Sequence, residues 1–205
     1  MKVSISILKE KDNYIDVIKK IQDTSASYIH LDIMDGTFTE NSAFKLSDFN
    51  GIYSEKKYDV HIMSTDLDYQ INEAIKLNPE YITFHCEATN SIIRYINLIK
   101  DNNIKVGLAI NPDTDIDCIK DYLSNVDLVL VMSVVPGKGG QEFIPSTVDK
   151  LKELKLYKKN FLINVDGGIN DKTIDLIRDY VDIVVSGSYV TNSNDYESKI
   201  LKLVK

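Results

Sequence analysis

Residues 28–36 have the sequence YIHLDIMDG, in which apolar residues alternate with a histidine and a carboxylate. Side chains along a β-strand point alternately to opposite faces. His30 and Asp32 would therefore share one face, while Leu31 and Ile33 share the other. Because burying polar groups without partners is costly, this segment predicts a strand that carries its polar face to a site inside the protein.

Short β-branched segments recur eight times along the chain, each followed by a longer and mostly amphipathic segment. The predicted strands are Val3–Leu8, Tyr28–Met34, Tyr58–Met63, Tyr81–His85, Lys105–Ile110, Leu128–Ser133, Phe161–Val165 and Ile183–Ser186. The alternation of strand and helix without hairpin signals indicates a parallel sheet. Eight units predict a single-domain (β/α)8 barrel over residues 1–205, with a doubly wound open sheet as the alternative.

Helical spacing of apolar residues fills most of the gaps between these strands. The predicted helices are Tyr14–Asp23, Tyr69–Leu77, Ser91–Asn102, Ile116–Ser124, Val148–Tyr157, Lys172–Asp179 and Asp195–Val204. The segment Lys45–Lys57 should hold another helix but contains Gly51 and mixed polarity. We expect it to be short or irregular.

The composition limits the class of partner. The 205 residues carry a net charge of −7, which argues against a nucleic-acid or anionic-membrane partner because such surfaces attract basic proteins. No apolar run is long enough to span a membrane. Cys86 and Cys118 are far apart in sequence and form no CxxC motif, so we expect reduced thiols in a cytoplasmic protein.

Alternation places polar residues on the inward faces of three further strands. The mouth of the predicted barrel collects Ser6, His30, Asp32, His61 and Asp166. Two histidines and two carboxylates in one confined space fit a single divalent cation, Zn²⁺ first, with Fe²⁺, Mn²⁺ or Co²⁺ as alternatives. The alternative is that these histidines and aspartates bind no metal and are hydrogen-bonded structural residues. We interpret His85, which also ends a strand, as a supporting or structural residue.

Glycines cluster after the sixth, seventh and eighth predicted strands. They are Gly137, Gly139, Gly140, Gly167, Gly168 and Gly187. Loops after strands seven and eight bind phosphate in many barrels, and backbone N–H groups brought close together can hold an anion. The sequence therefore predicts a site for a phosphate monoester, to which Lys138 would add a cation unless it lies in solvent.

Six segments in this order carry a further signal: HLDIMDGTF, DVHIM, ITFHCEA, GLAINPDT, DLVLVMSVVPGKGGQEF and INVDGGIN. Together they resemble the ribulose-phosphate 3-epimerase family, from Ser4 to Gly187. The resemblance implies a metal-dependent (β/α)8 barrel that interconverts the small ketose phosphates D-ribulose 5-phosphate and D-xylulose 5-phosphate in the pentose phosphate pathway. It also implies a homo-oligomer.

The resemblance assigns roles residue by residue. It implies that His30, Asp32, His61 and Asp166 bind the metal, and that Asp32 and Asp166 are the catalytic acid and base. The positions it places near the substrate are Ser6, Met34, His61, Met63, Met132, Gly137, Lys138, Gly139, Gly140, Gly167, Gly168, Gly187 and Ser188. The family usually has other residues at the positions of Ile5, Thr37, Glu40, Lys138 and Tyr189. These differences concern the segment that would cover the sugar and the contacts with its phosphate.

Three alternatives follow from these residues. A 3-epimerase for another ketose phosphate, such as D-allulose 6-phosphate, would share the metal site and differ near Thr37, Lys138 and Tyr189. A non-catalytic phosphosugar-binding module is a second alternative, although all four metal-site positions are intact. The decarboxylases and synthases of related barrels would need an Asp-x-Lys arrangement, which HLDIMD lacks.

Overall fold

A computed structural model describes residues 1–158 and 160–205, and within them eight parallel strands close into a barrel in chain order. The strands are β1 (Lys2–Ser6), β2 (Tyr28–Met34), β3 (Tyr58–Met63), β4 (Tyr81–His85), β5 (Lys105–Ile110), β6 (Leu128–Met132), β7 (Leu162–Asp166) and β8 (Ile183–Ser186). Strand β1 pairs with both β2 and β8. The predicted barrel is confirmed, because in an open sheet each of the two edge strands would have a neighbour on one side only.

The described residues form seven α-helices. These are α1 (Tyr14–Gln22), α2 (Leu67–Lys76), α3 (Ile92–Asp101), α4 (Thr147–Tyr157), α5 (Ile174–Ile177), α6 (Ser188–Thr191) and α7 (Tyr196–Val204). Within this part of the chain, no helix is both long enough and apolar enough to cross a bilayer. The predicted irregularity of Lys45–Lys57 is confirmed, since only the 3-10 helix Leu46–Phe49 forms there.

Two predicted helices differ from the structure. Residues 116–124 form two 3-10 turns, Ile116–Cys118 and Lys120–Tyr122, instead of one α-helix. These turns still bury Ile116 and Ile119, so the apolar spacing correctly marked the buried face but not the tighter backbone. The helix predicted from Lys172 begins only at Ile174, because the Asn170 side chain accepts the N–H groups of residues 172 and 173 and holds them in a turn.

The core has two layers. The larger layer lies between the strands and the helices and contains the outward-facing residues Ile5, Leu31, Val60 and Val165. The smaller layer fills the barrel and includes the first residue of every second strand, namely Tyr28, Tyr81, Leu128 and Ile183. Such four-residue layers from alternate strands are a feature of these barrels. This layer closes the amino-terminal end and leaves polar residues at the other end.

Candidate active site

The four predicted metal-site residues converge at the carboxyl-terminal end of the barrel. His30 and Asp32 come from β2, His61 from β3 and Asp166 from β7, and one ligand atom of each lies within 4.8 Å of the others. Asp32 Oδ1 is 3.5 Å from both His30 Nε2 and His61 Nδ1. Asp166 Oδ2 is 3.7 Å from the same two nitrogens.

The donor set fits a cation better than it fits a hydrogen-bond network. His30 Nε2 and His61 Nδ1 are buried and have no hydrogen-bond partner among the described residues. Separations of 3.5–3.7 Å are long for hydrogen bonds. They are close to the roughly 3.4 Å expected between ligands that each lie about 2.1 Å from a tetrahedral ion. Two imidazoles and two carboxylates are also ligands that suit such an ion.

A buried carboxylate contacts His30 on the side of the ring away from the site. Asp59 Oδ2 lies 2.9 Å from His30 Nδ1 and also accepts a 2.9 Å hydrogen bond from Ser4 Oγ. Burial alone would lower the pKa of His30, but the carboxylates of Asp59 and Asp32 outweigh it and raise the pKa well above its usual value. Sequence reasoning missed Asp59, although alternation from His61 places it on the same face.

A second histidine and a carboxylate support His61. His85 Nε2 lies 2.9 Å from His61 Nε2, and His85 Nδ1 lies 3.2 Å from Glu87 Oε2. Burial lowers the pKa of His85 to about 4, so this imidazole is neutral at physiological pH. Glu87 is a residue that the sequence did not single out. Burial opposes its charge, but hydrogen bonds from His85 and Thr114 lower its pKa to about 2.

Ser6 lies beside the carboxylate of Asp32. Its Oγ donates a 2.7 Å hydrogen bond to Asp32 Oδ2. Burial would raise the pKa of Asp32, but His30 and His61 outweigh it and hold the pKa well below its usual value. Asp32 is therefore a carboxylate at neutral pH, with one oxygen toward the histidines and the other on Ser6.

A cavity of about 210 Å³ opens above these carboxylates. Its walls include Asp32 and Asp166, whereas His30 and His61 are fully buried below it. The other predicted positions in its lining are Ser6, Met63, Met132, Gly137, Lys138, Gly139, Gly140, Gly167, Gly168, Gly187 and Ser188. The structure thus brings together all but one of the predicted positions, either around this cavity or directly beneath it.

Met34 is the exception. It borders a second cavity of about 460 Å³, together with Lys11, Asp35 and Phe44. In a strand, Met34 follows Asp32 on the same face. Residues 33 and 35, on either side of Met34, form bridges with residues 44 and 42 at the end of the strand. Residues 42–44 also line the second cavity.

Lys9 lines the first cavity, although no pattern in the sequence singled it out. Its ammonium group lies over the glycine segment that follows β6. A Cβ atom added to Gly140, whose φ is +79°, would be 2.5 Å from Lys9 Nζ and 3.7 Å from Ser188 Oγ. The missing side chain at Gly140 therefore lets a cation and a hydroxyl approach the same point of the cavity.

The positions that depart from the resembled family lie in different places. Lys138 and Tyr189 line the first cavity. Ile5 is buried in the layer between strands and helices. Thr37 Oγ1 donates to Asp35 and accepts from the N–H of Thr65, which ties together the segments after β2 and β3. Glu40 is exposed.

Comparison with known proteins identifies the family. A profile described as the ribulose-phosphate 3 epimerase family matches residues 2–191. The chain belongs to the ribulose-phosphate 3-epimerase family. The Helicobacter pylori (strain J99) ribulose-phosphate 3-epimerase is 38% identical over 203 residues, covering 95% of this chain and 93% of that protein. The Bacillus subtilis ribulose-phosphate 3-epimerase is 34% identical, with 91% and 89% covered. Membership of this epimerase family makes the chain an enzyme of the isomerase class.

Solved structures of the same shape come from other enzymes. The 3-hexulose-6-phosphate synthase from Salmonella typhimurium superposes with a TM-score of 0.70 at 18% identity, covering 100% of this chain and 97% of that one. The N-(5'-phosphoribosyl)anthranilate isomerase from Pyrococcus furiosus superposes with a TM-score of 0.64 at 15% identity, covering 100% and 96%. At these identities the likeness supports the barrel fold alone.

Proposed function

We propose that the chain interconverts D-ribulose 5-phosphate and D-xylulose 5-phosphate by inverting carbon C3, as a step of the pentose phosphate pathway. The observation that carries this proposal is the placement of Asp32 and Asp166. Both carboxylates line one cavity, and they come from strands β2 and β7, which are separated in the barrel by β1 and β8. A sugar lying across the mouth would have one carboxylate on each side.

Two groups are needed because the reaction inverts configuration. A single base that removed a proton and returned it from the same side would restore the starting sugar. The C3 proton is acidified by the adjacent C2 carbonyl, so one aspartate removes it and the other supplies a proton to the opposite face of the resulting enediolate. Proton transfer by positioned groups of this kind contributes about 10²- to 10⁴-fold in rate.

The ionisation of Asp32 suits the first step. Its pKa is held low by His30 and His61, so Asp32 begins as a base. The hydrogen bond from Ser6 leaves one carboxylate oxygen fixed. Held in this way, the carboxylate approaches the substrate in one orientation, and little reorganisation is needed during proton transfer.

His30, Asp32, His61 and Asp166 would hold one divalent ion, with Zn²⁺ the first choice and Fe²⁺, Mn²⁺ or Co²⁺ as alternatives. Such an ion acts as a Lewis acid that stabilises negative charge developing on the substrate oxygens. The two buried nitrogens without partners support this assignment. Met63 and Met132 line the cavity and would form an apolar wall beside the reacting carbons, since methionine adapts well to such surfaces.

The phosphate would bind at the glycine end of the cavity. Gly140, Gly168 and Gly187 belong to the segments that follow β6, β7 and β8, all of which line the cavity. Glycine lets the backbone approach an anion closely. Lys9 lies against Gly140 and would add a charge-assisted contact, and Lys138 in the same wall would add positive charge.

The decisive experiment measures turnover of D-ribulose 5-phosphate and D-allulose 6-phosphate by the purified, zinc-loaded protein. We expect the pentose phosphate to have the higher kcat/KM. The opposite preference would favour the second candidate, an epimerase for a larger ketose phosphate, which Lys138 and Tyr189 support because both lie in the cavity wall. Absence of turnover with both sugars would favour a phosphosugar-binding module.

We also propose a cytoplasmic homo-oligomer. Both cysteines, Cys86 and Cys118, are free thiols, as expected in a reducing compartment. The oligomer rests on the family resemblance, and light scattering of the purified protein would test it.

A further inference from the structure

Beneath the cavity, three side chains form a line that leads away from the proposed metal site. His61 Nε2 is 2.9 Å from His85 Nε2, and His85 Nδ1 is 3.2 Å from Glu87 Oε2. His61 and His85 are fully buried, and their rings stack with 5.0 Å between centroids. The ring of Phe38 lies 4.6 Å from that of His85. These contacts fix the plane of the His85 ring.

The positions of the protons follow from this line. Glu87 as a carboxylate can only accept, so the proton between it and His85 belongs to His85 Nδ1. A neutral His85 then has a lone pair at Nε2. The 2.9 Å contact between the two Nε2 atoms requires one donor, which must be His61. The lone pair of His61 is thereby left at Nδ1, the atom that faces Asp32 and Asp166.

We propose that His85, oriented by Glu87, is a positioning residue that fixes His61 in its Nε2-protonated tautomer and so makes Nδ1 the metal-binding nitrogen. This inference rests on the proposed metal site. His30 has the opposite tautomer, since its Nδ1–H donates a hydrogen bond to Asp59 and its unprotonated Nε2 faces the site. Partners of this kind set ligand orientation and basicity at metal sites.

Glu87 is itself firmly held. Its Oε1 accepts hydrogen bonds from the backbone N–H of Asn111 at 2.8 Å and from Thr114 Oγ1 at 2.5 Å. The loop that contains these residues is tied to α4, because Lys150 Nζ donates to the carbonyl groups of residues 111, 112 and 114. The line from His61 therefore ends on a loop anchored to a helix.

The chain's histidine content makes the proposal directly measurable. There are three histidines, so ¹⁵N-histidine labelling gives three sets of ring signals, and long-range ¹H–¹⁵N spectra distinguish the two tautomers of each. In the zinc-loaded protein we expect a protonated Nε2 for His61 and a protonated Nδ1 for His85 and His30. A protonated Nδ1 on His61 would overturn the proposal, because that nitrogen could not then bind zinc, and only His30, Asp32 and Asp166 would remain as ligands.

A variant tests the contribution of Glu87. Glu87→Gln removes the charge that orders His85, and we expect zinc affinity, measured by competition with a chromophoric chelator, to fall about 10- to 100-fold. The matched control is Glu80→Gln, at the other end of β4, where the carboxylate accepts from Lys105. An affinity for Glu87→Gln within twofold of this control would overturn the proposal.

These measurements use zinc without substrate, so failure of the proposed reaction would not affect them. Histidine spectra that do not respond to zinc would instead refute the metal site, and this inference with it. If Glu87→Gln does not fold, Thr114→Val removes one hydrogen bond from Glu87 and leaves its carboxylate in place. We then expect a smaller loss of zinc affinity, and unchanged affinity would count against the proposal.

Discussion

Ser6 on β1 donates a 2.7 Å hydrogen bond to Asp32 on β2, from the wall of the same cavity. A hydrogen bond to a charged group contributes about 1.5–3 kcal/mol. We expect Ser6→Ala to lower kcat for D-ribulose 5-phosphate by roughly 10-fold or more, because the carboxylate loses a fixed orientation. Ser186→Ala is the control, since its hydroxyl bonds to the carbonyl of residue 169. Equal kcat values for the two variants would contradict this role.

The two-carboxylate scheme predicts the effect of removing either acid. Asp32→Asn and Asp166→Asn should each abolish turnover in both directions, because inversion needs a carboxylate on each face of the sugar and either variant leaves only one. Circular dichroism should show that both variants keep the barrel. The active enzyme should also incorporate solvent deuterium at C3. Near-normal activity in either variant, or sugar product without deuterium, would refute the scheme.

Removing the metal should cost both activity and stability. Treatment with a chelator should abolish turnover, and zinc should restore it. Because an ion that binds only the folded state stabilises it, free zinc at 100 times its Kd should add about 2.7 kcal/mol to the free energy of unfolding. His30→Gln should lose most of this gain, as measured by urea denaturation. A zinc effect of equal size in wild type and variant would place the ion elsewhere.

Lys9 should act on substrate binding more than on chemistry. Lys9→Met removes the cation beside Gly140, and we expect KM for the sugar phosphate to rise roughly 10-fold with little change in kcat. Lys11→Met serves as control, because Lys11 lines the second cavity. An unchanged KM would mean that the phosphate binds without Lys9.

Glu87 should make the protein sensitive to acid. Its pKa is lowered to about 2 in the folded protein, from about 4.3 in an unfolded chain. A carboxylate with a lowered pKa stabilises the fold above the unfolded value, and this contribution is lost as the pH falls toward the folded value. Glu87→Gln should therefore flatten the decline in unfolding free energy between those two pH values. An identical decline in both proteins would argue against the depressed pKa.

Strand alternation was enough to predict the centre of the site. His30, Asp32, His61 and Asp166 each end up inside the barrel because a parallel strand presents every second side chain to one face. The same rule applied backwards from His61 would have found Asp59. The count of eight strand–helix units favoured the barrel over a doubly wound open sheet, but only the pairing of β1 with β8 shows that the sheet closes.

Residues outside the strands were harder to predict. Lys9 and Glu87 follow β1 and β4, where no periodicity says which way a side chain points. Glu87 lies in a 3-10 turn, and its partners come from the loop after the next strand. The 3-10 turns at residues 116–122 likewise keep the apolar spacing of a helix, so only tertiary contacts distinguish them.

The burial of both imidazoles beneath the cavity floor has one more consequence. Because His30 and His61 are fully buried beneath the cavity that would bind the sugar, an ion held by them and the aspartates would lie below the bound sugar. We therefore expect the ion to bind before the sugar and to dissociate after it. A saturating sugar phosphate would cover the ion and should therefore slow the transfer of zinc to a chelator.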